Sequence, residues 1–99
     1  MNKPGAIITG ASTGIGRVLA IELSENYKVY LISRNKKKLN DTKKIIEKNN
    51  NQCEVITADL TKDSSYEKIS KKISDKNNIE LLVNNAGVAI FNDISNTSL

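Results

Sequence analysis

Apolar residues along the chain occur in two alternating patterns. Short runs rich in β-branched residues predict four strands, over residues 6–9, 28–32, 53–58 and 79–83. Between them, apolar residues recur three and four positions apart, which is the helical period. The residues that define the first helix, over 15–25, are Ile15, Val18, Leu19 and Leu23. Those on one face of the second, which Asn35 caps, are Leu39, Thr42, Ile45 and Ile46. The buried stripe of the third, capped by Asp63 or Ser64, comprises Tyr66, Ile69 and Ile73.

The order β-α-β-α-β-α-β predicts an α/β fold with a doubly wound parallel sheet. Right-handed crossovers place the first two helices on one face, and the third helix must then return on the other face. The predicted strand order is therefore 3-2-1-4. A crevice opens between the carboxyl ends of strands 1 and 4, where open α/β sheets bind their ligands.

The composition indicates one domain, residues 1–99, without a disulfide, because Cys53 is the only cysteine. The stretch before Gly10 is too short for a secretory signal or a membrane span, so we expect a cytoplasmic protein without a membrane partner. No metal site is expected.

The net charge of +4 could indicate a nucleic-acid partner, but aromatic residues make up only 4% of the chain and tryptophan is absent. The lysines between positions 36 and 48 are typical of a solvated helix face. We therefore expect no nucleic-acid partner.

Residues 9–16 read TGASTGIG and join the first strand to the first helix. A pyrophosphate needs backbone N–H groups at a helix N-terminus and no side chain in its way. Gly10 allows a sharp turn, while Gly14 and Gly16 allow close approach. Ser12 and Thr13 add hydroxyl donors. The spacing G-x-x-x-G-x-G differs from G-x-G-x-x-G and from a Walker A loop, so taken alone the segment is either a phosphate-binding turn or a structural connector.

Three motifs in order resemble the short-chain dehydrogenase/reductase family: T-G-x-x-x-G-x-G after strand 1, Asp59-Leu60 after strand 3, and Asn84-Asn85-Ala86-Gly87 after strand 4. The resemblance covers residues 5 to 91 and implies a Rossmann-type sheet that binds a nicotinamide dinucleotide. Taken alone, Asp59 is also compatible with a turn or cap residue, and the Asn pair with a strand-end turn.

The resemblance implies a role for each motif. The residues that would hold the pyrophosphate and the adjacent ribose are Gly10, Ser12, Thr13, Gly14, Ile15 and Gly16. Asp59 would bind the adenine amino group, with the Leu60 backbone beside it. The residues that would pack against the adenosine are Asn85, Ala86 and Gly87, whereas Asn84 would tie the strand ends together.

The end of strand 2 favours NADP(H) over NAD(H). An acidic residue there would bind the ribose hydroxyls of NAD, but this chain has Ser33 and Arg34 and no carboxylate until Asp41. Arg34 offers a charged planar fork that suits a 2′-phosphate, and Ser33 adds a hydroxyl donor. The alternative is that Arg34 is an ordinary surface arginine.

The family's catalytic residues have no match in this chain. The family uses Tyr-x-x-x-Lys with an upstream serine, the tyrosine acting as acid and base. The tyrosines here are Tyr27, Tyr30 and Tyr66, and the residues four positions later are Leu31, Arg34 and Ser70. Histidine is absent. We therefore predict no catalytic residue and no carbonyl reduction by the 99-residue chain alone.

Two functions from different classes follow. The first is the truncated N-terminal, cofactor-binding part of an oxidoreductase that transfers hydride between NADP(H) and a carbonyl or alcohol in its full-length parent. The second is a non-catalytic dinucleotide-binding or interaction module. For both, strand 79–83 is expected to be an open edge through which the chain could self-associate.

Overall fold

A computed structural model describes residues 3–11, 14–59, 62, 64–73, 78–84 and 87–90. The strands and helices in chain order are β1 (Gly5–Thr9), α1 (Gly14–Leu23), β2 (Lys28–Ser33), α2 (Lys36–Lys48), β3 (Cys53–Thr57), α3 (Ser64–Lys72), β4 (Ile79–Asn84) and β5 (Gly87–Ile90).

The sheet has the strand order β3-β2-β1-β4-β5. The pairs β3–β2, β2–β1 and β1–β4 are parallel. The predicted α/β fold and its order 3-2-1-4 are therefore confirmed. Strand β1 lies between β2 and β4, so the chain reverses its direction of winding beside β1.

The prediction that strand 79–83 is an open edge is wrong. Strand β5 pairs antiparallel with β4, in a register that places Asn84 opposite Gly87 and Leu81 opposite Ile90. An unpaired strand exposes a row of N–H and C=O groups, and the β-branched residues that follow β4 suit a strand that covers them. Self-association through the β4 edge therefore loses its structural basis.

The core consists of two clusters, one on each face of the sheet. The first contains Ala6, Ile8, Ala11, Ala20, Val29, Leu31, Leu39, Ile46, Cys53 and Val83. The second contains Ile7, Tyr30, Ile32, Ile56 and Ala58, against which Ile69 and Ile73 pack from the α3 side. Alternate residues of β1 and β2 enter opposite clusters, which explains why both strands are apolar throughout.

Helix α1 uses only part of the apolar face that its sequence period predicts. Leu19 and Leu23 pack against the first cluster, but Ile15 is 79% exposed and Val18 is 59% exposed. Ala20, which the period did not select, is fully buried. The predicted face is therefore confirmed at Leu19 and Leu23 and wrong at Ile15 and Val18.

Helix α2 begins after Asn35, whose side-chain Oδ1 accepts the Lys38 amide at 3.0 Å, so the predicted cap is confirmed. Leu39, Thr42 and Ile46 are buried as expected, but Ile45 is 40% exposed, at the margin of the buried face. In the third helix, the Tyr66 side chain and Asp63 lie outside the described residues.

Candidate functional site

The carboxyl ends of the parallel strands lie at one edge of the sheet, and β1 and β4 are neighbours there. Helix α1 packs on one face of the sheet and α3 on the other, so the crevice predicted between strands 1 and 4 is present in the topology. The Thr9 hydroxyl donates to the Val83 carbonyl oxygen at 3.4 Å and joins the two strand ends.

The glycine turn starts from β1 with a left-handed residue. Gly10 has a φ of 65°, and its amide donates to the Ile32 carbonyl oxygen at 2.9 Å. This bond ties the start of the turn to the end of β2. A residue with a Cβ pays about 1–2 kcal/mol for that backbone conformation, so the sequence preference for glycine has a direct cause.

Gly14 and Gly16 meet two different requirements. Gly14 has a φ of 59°, and a Cβ built on it has no protein atom within 4 Å. A Cβ on Gly16 would overlap the Gly10 carbonyl oxygen and lie 3.1 Å from Ala11 Cα. Gly16 therefore permits contact between helix and turn, while Gly14 leaves open space at the beginning of α1.

The N-terminus of α1 offers backbone donors at this open space. The first N–H groups of a helix have no intrahelical partner, and they carry a partial positive charge that favours anions. No acidic residue lies in the first turn of α1 to compete for them. Ile15 is exposed beside them, whereas Ser12 and Thr13 lie outside the described residues.

The loop after β2 is basic and exposed. Arg34 and the three lysines that open α2 are exposed, and the Ser33 hydroxyl accepts the Asn35 amide at 3.3 Å. No carboxylate occurs between Glu25 and Asp41. The predicted Ser33–Arg34 pair thus lies next to the glycine turn, because the Gly10 amide binds the last apolar residue of β2.

Asp59 lies two residues after β3 and is half-buried. The Ala58 amide donates to the Ser33 carbonyl oxygen at 3.0 Å, so the ends of β2 and β3 are joined. The Asp59 carbonyl oxygen accepts the Lys62 amide at 3.1 Å, a turn contact made by the backbone. Leu60 lies outside the described residues.

At β4 the structure differs from the expected loop. Asn84 is the exposed last residue of β4, and Gly87 is the first residue of β5 rather than part of an open turn. Asn85 and Ala86 lie outside the described residues. The predicted contact of Asn85, Ala86 and Gly87 with adenosine stays a prediction.

The other chemically notable side chains lie away from this edge. Burial raises the pKa of the Cys53 thiol from its ordinary 9.0 to about 12, so it stays protonated at neutral pH. Tyr30 is fully buried in the second cluster on β2. In the part of the chain that the structure describes, no group of histidine, cysteine or acidic side chains could hold a metal ion.

The glycine turn and the strand order are those of a known family. The family model for short chain dehydrogenases matches residues 5–99. The chain belongs to the short-chain dehydrogenase family. Members of this family are oxidoreductases that bind nicotinamide dinucleotides. None of the helices that the structure describes is long and apolar enough to be a membrane span.

Individual relatives agree with this assignment. The chain is 47% identical over 85 residues to 17-beta-hydroxysteroid dehydrogenase type 3 of Danio rerio. The aligned residues cover 84% of this chain and 27% of that protein. An uncharacterized oxidoreductase of Bacillus subtilis is 35% identical over 91 residues, 90% of this chain and 32% of the relative. The chain therefore spans about a third of the length of these relatives.

Solved structures show the same fold. A crystal structure of an actinorhodin polyketide ketoreductase variant with NADPH matches with a TM-score of 0.77 and 26% sequence identity. The match covers 86% of this chain and 34% of the ketoreductase.

The sequence analysis missed a contact between the helices beside the turn. The Arg17 Nε donates to the Thr42 hydroxyl at 2.8 Å, and Thr42 is fully buried. The sequence carries no local signal for it, since Thr42 occupies the same buried face of α2 as Leu39 and Ile46.

Proposed function

We propose that residues 1–99 form one partial dinucleotide-binding domain that holds NADP(H) for a short-chain oxidoreductase. The observation that carries the proposal is the glycine turn, with left-handed Gly10 and Gly14 and with Gly16 packed on Gly10. This arrangement presents helix N–H groups to open space at the switch point of the sheet, and a pyrophosphate fits those donors.

The residues of the turn would bind the pyrophosphate through their amides. Gly14, Ile15 and Gly16 open α1 and contribute N–H groups, and Ser12 and Thr13 would add hydroxyl donors. Asp59 would accept a hydrogen bond from the adenine amino group, with Leu60 beside it. On the far side of the crevice, Asn85, Ala86 and Gly87 would pack against the adenosine.

Arg34 and Ser33 support NADP(H) rather than NAD(H) as the cofactor. Arg34 is exposed at the carboxyl end of β2, with Lys36, Lys37 and Lys38 following it and no carboxylate nearby in sequence. A guanidinium binds a phosphate through paired charge-assisted hydrogen bonds, whereas its hydrogen bond to a neutral ribose hydroxyl is weaker.

The bound nicotinamide supplies or accepts the hydride when the family's reaction takes place. The chain contains no Tyr-x-x-x-Lys, so residues 1–99 do not supply the pair that moves the proton in the family's reaction. The proposed role of this chain is to bind and orient the cofactor. Alone, we expect it to reduce no carbonyl with NADPH.

Titration of the chain with NADPH and with NADH tests the proposal. We expect NADPH to bind more tightly, and Arg34→Ala to weaken NADPH about tenfold or more while changing NADH less than twofold, since a charged hydrogen bond contributes about 1.5–3 kcal/mol. Lys44→Ala removes one positive charge from an exposed position farther along α2 and is the matched control. Equal affinities that persist in Arg34→Ala would contradict the cofactor assignment.

A further inference from the structure

Arg17 joins the two helices that flank the glycine turn. It lies in the first turn of α1, and its Nε donates to the Thr42 hydroxyl at 2.8 Å. Its Nη2 donates to the Lys38 carbonyl oxygen at 3.3 Å. A single side chain therefore fixes the start of α1 against the first two turns of α2. We name these contacts the Arg17–Thr42 bridge.

The Thr42 hydroxyl extends this bridge to the turn itself. Its oxygen lies 3.5 Å from the Ala11 carbonyl oxygen and 3.2 Å from the Lys38 carbonyl oxygen. The hydroxyl has one proton to donate to these carbonyls, while its lone pair accepts from Arg17. Since Thr42 and Ala11 are both fully buried, water cannot readily replace these contacts.

The other end of the bridge leads to the basic loop. Lys38, whose carbonyl oxygen accepts from Arg17, also donates its amide to the Asn35 side chain at 3.0 Å. Asn35 directly follows Arg34. A short hydrogen-bonded path therefore runs from the glycine turn through Thr42 and Lys38 to Asn35, which is the next residue after Arg34 in the chain.

We propose that the Arg17–Thr42 bridge is a positioning device that sets the separation between the pyrophosphate turn and Arg34, and thereby the preference for a 2′-phosphorylated dinucleotide. The inference rests on the proposed function. A pyrophosphate held by the turn and a 2′-phosphate held at Arg34 are joined through a single ribose, so the separation of the two binding groups must stay within the short range that this ribose spans. A dinucleotide without the 2′-phosphate does not require that separation.

The substitution Thr42→Val distinguishes positioning from charge. It removes the acceptor of Arg17 and the donor to Ala11 but leaves every charge in place. In Thr42→Ser the hydroxyl is retained. Arg17→Met removes both the contacts and the charge, so an effect seen only with Arg17→Met would indicate a field effect.

The test measures the dissociation constants of the full chain for NADPH and NADH in these variants. We expect Thr42→Val to weaken the binding of NADPH about threefold to tenfold, the range that corresponds to the loss of one hydrogen bond. The binding of NADH should weaken less than about twofold. Thr42→Ser should restore the wild-type ratio. The double variant Arg17→Met/Thr42→Val should lose less of the ratio than the two single losses combined, because both changes break the Arg17–Thr42 hydrogen bond. An unchanged NADPH-to-NADH ratio in Thr42→Val would overturn the proposal.

Hydrogen exchange of the ligand-free chain distinguishes a failure of the positioning proposal from a failure of the proposed function. A wild-type chain that binds neither dinucleotide contradicts the cofactor assignment, and exchange then decides whether the bridge exists. We expect Thr42→Val, but not Thr42→Ser, to accelerate exchange both at the Gly10 amide and at the Leu39 amide, which bonds to the Asn35 carbonyl oxygen. Acceleration confined to α2, or none, would overturn the coupling.

Discussion

The two ends of the sheet use their polar side chains differently. At the amino end of the strands, Lys3 donates to the Ser24 carbonyl oxygen and to Asn51 Oδ1, both at 3.1 Å. The Asn51 amide donates to the Ser24 hydroxyl at 3.3 Å, and that hydroxyl donates to the Ile21 carbonyl oxygen at 2.6 Å. These contacts join Lys3, two residues before β1, to the end of α1 and to the residues before β3.

The carboxyl end presents its polar groups to solvent instead. Arg34 and the lysines that follow are exposed, and the space at Gly14 is open. The hydrogen bonds at this end hold the turn and the loops in place, as the bond from the Gly10 amide to Ile32 and the contacts of Thr42 do. The contrast indicates that one end stabilises the fold while the other is arranged for a ligand, and substitutions at the two ends should separate stability from binding.

Gly16→Ala should have the largest effect, because Gly16 serves both purposes. Its Cβ would overlap the Gly10 carbonyl oxygen, so α1 and the turn must move apart. We expect the free energy of unfolding to fall by about 1–3 kcal/mol, the usual cost of overpacking. NADPH binding should be lost with it. Urea denaturation and an NADPH titration measure the two effects.

Gly14→Ala is the matched control for this substitution. Its Cβ has open space, so only the left-handed backbone costs about 1–2 kcal/mol. An ordinary helical glycine gains stability on replacement by alanine. A Gly16→Ala variant more stable than the wild type would therefore contradict the close contact between helix and turn.

Ser24→Ala should affect stability alone. Ser24 is fully buried, and its loss leaves the Asn51 amide without that acceptor. We expect the free energy of unfolding to fall by about 1 kcal/mol or somewhat more, while the affinity for NADPH changes less than twofold. Ser70→Ala, at an exposed position of α3, is the control and should change neither quantity measurably. Weaker NADPH binding in Ser24→Ala would show that the two ends are coupled.

The sequence predicted the parallel strands and their order well, because buried strands are apolar throughout and crossovers have one hand. It did not predict β5, since a four-residue apolar segment carries too weak a signal to assign its partner. For α1 the period predicted an apolar stripe of Ile15, Val18, Leu19 and Leu23. Leu19 and Leu23 pack on the core, but Ile15 and Val18 are exposed and the small residue Ala20 is buried instead. Close approach to a sheet depends on side-chain volume, which a hydrophobic period does not measure.

The sequence predicted the backbone of the candidate site but not the side-chain contacts that hold it in place. The positions of Gly10, Gly14 and Gly16 follow from the need for left-handed turns and close contact, which only glycine meets. The Arg17–Thr42 bridge depends on how two helices lie side by side, and no local pattern specifies that. At helical spacing, Thr42 is indistinguishable from a residue that only fills the core.

Cys53 gives the smallest predicted effect and tests how closed the amino end is. This thiol is 6% exposed at the beginning of β3, and burial, partly offset by the charge of Lys43, raises its pKa from 9.0 to about 12. The unfolded chain therefore ionises the thiol at lower pH than the folded chain. Its contribution to stability is complete below pH 9 and is lost as the pH rises from 9 towards 12.

The free energy of unfolding measured at pH 7 and pH 10 in the wild type and in Cys53→Ala isolates this contribution. Between these two pH values the wild type should lose about 1 kcal/mol more than the variant, because the two proteins differ only in the thiol. A thiol reagent at pH 8 should also label Cys53 only as fast as the chain unfolds. Equal losses in the two proteins together with rapid labelling would mean that the amino end admits water, and the contrast between a closed and an open end of the sheet would then no longer hold.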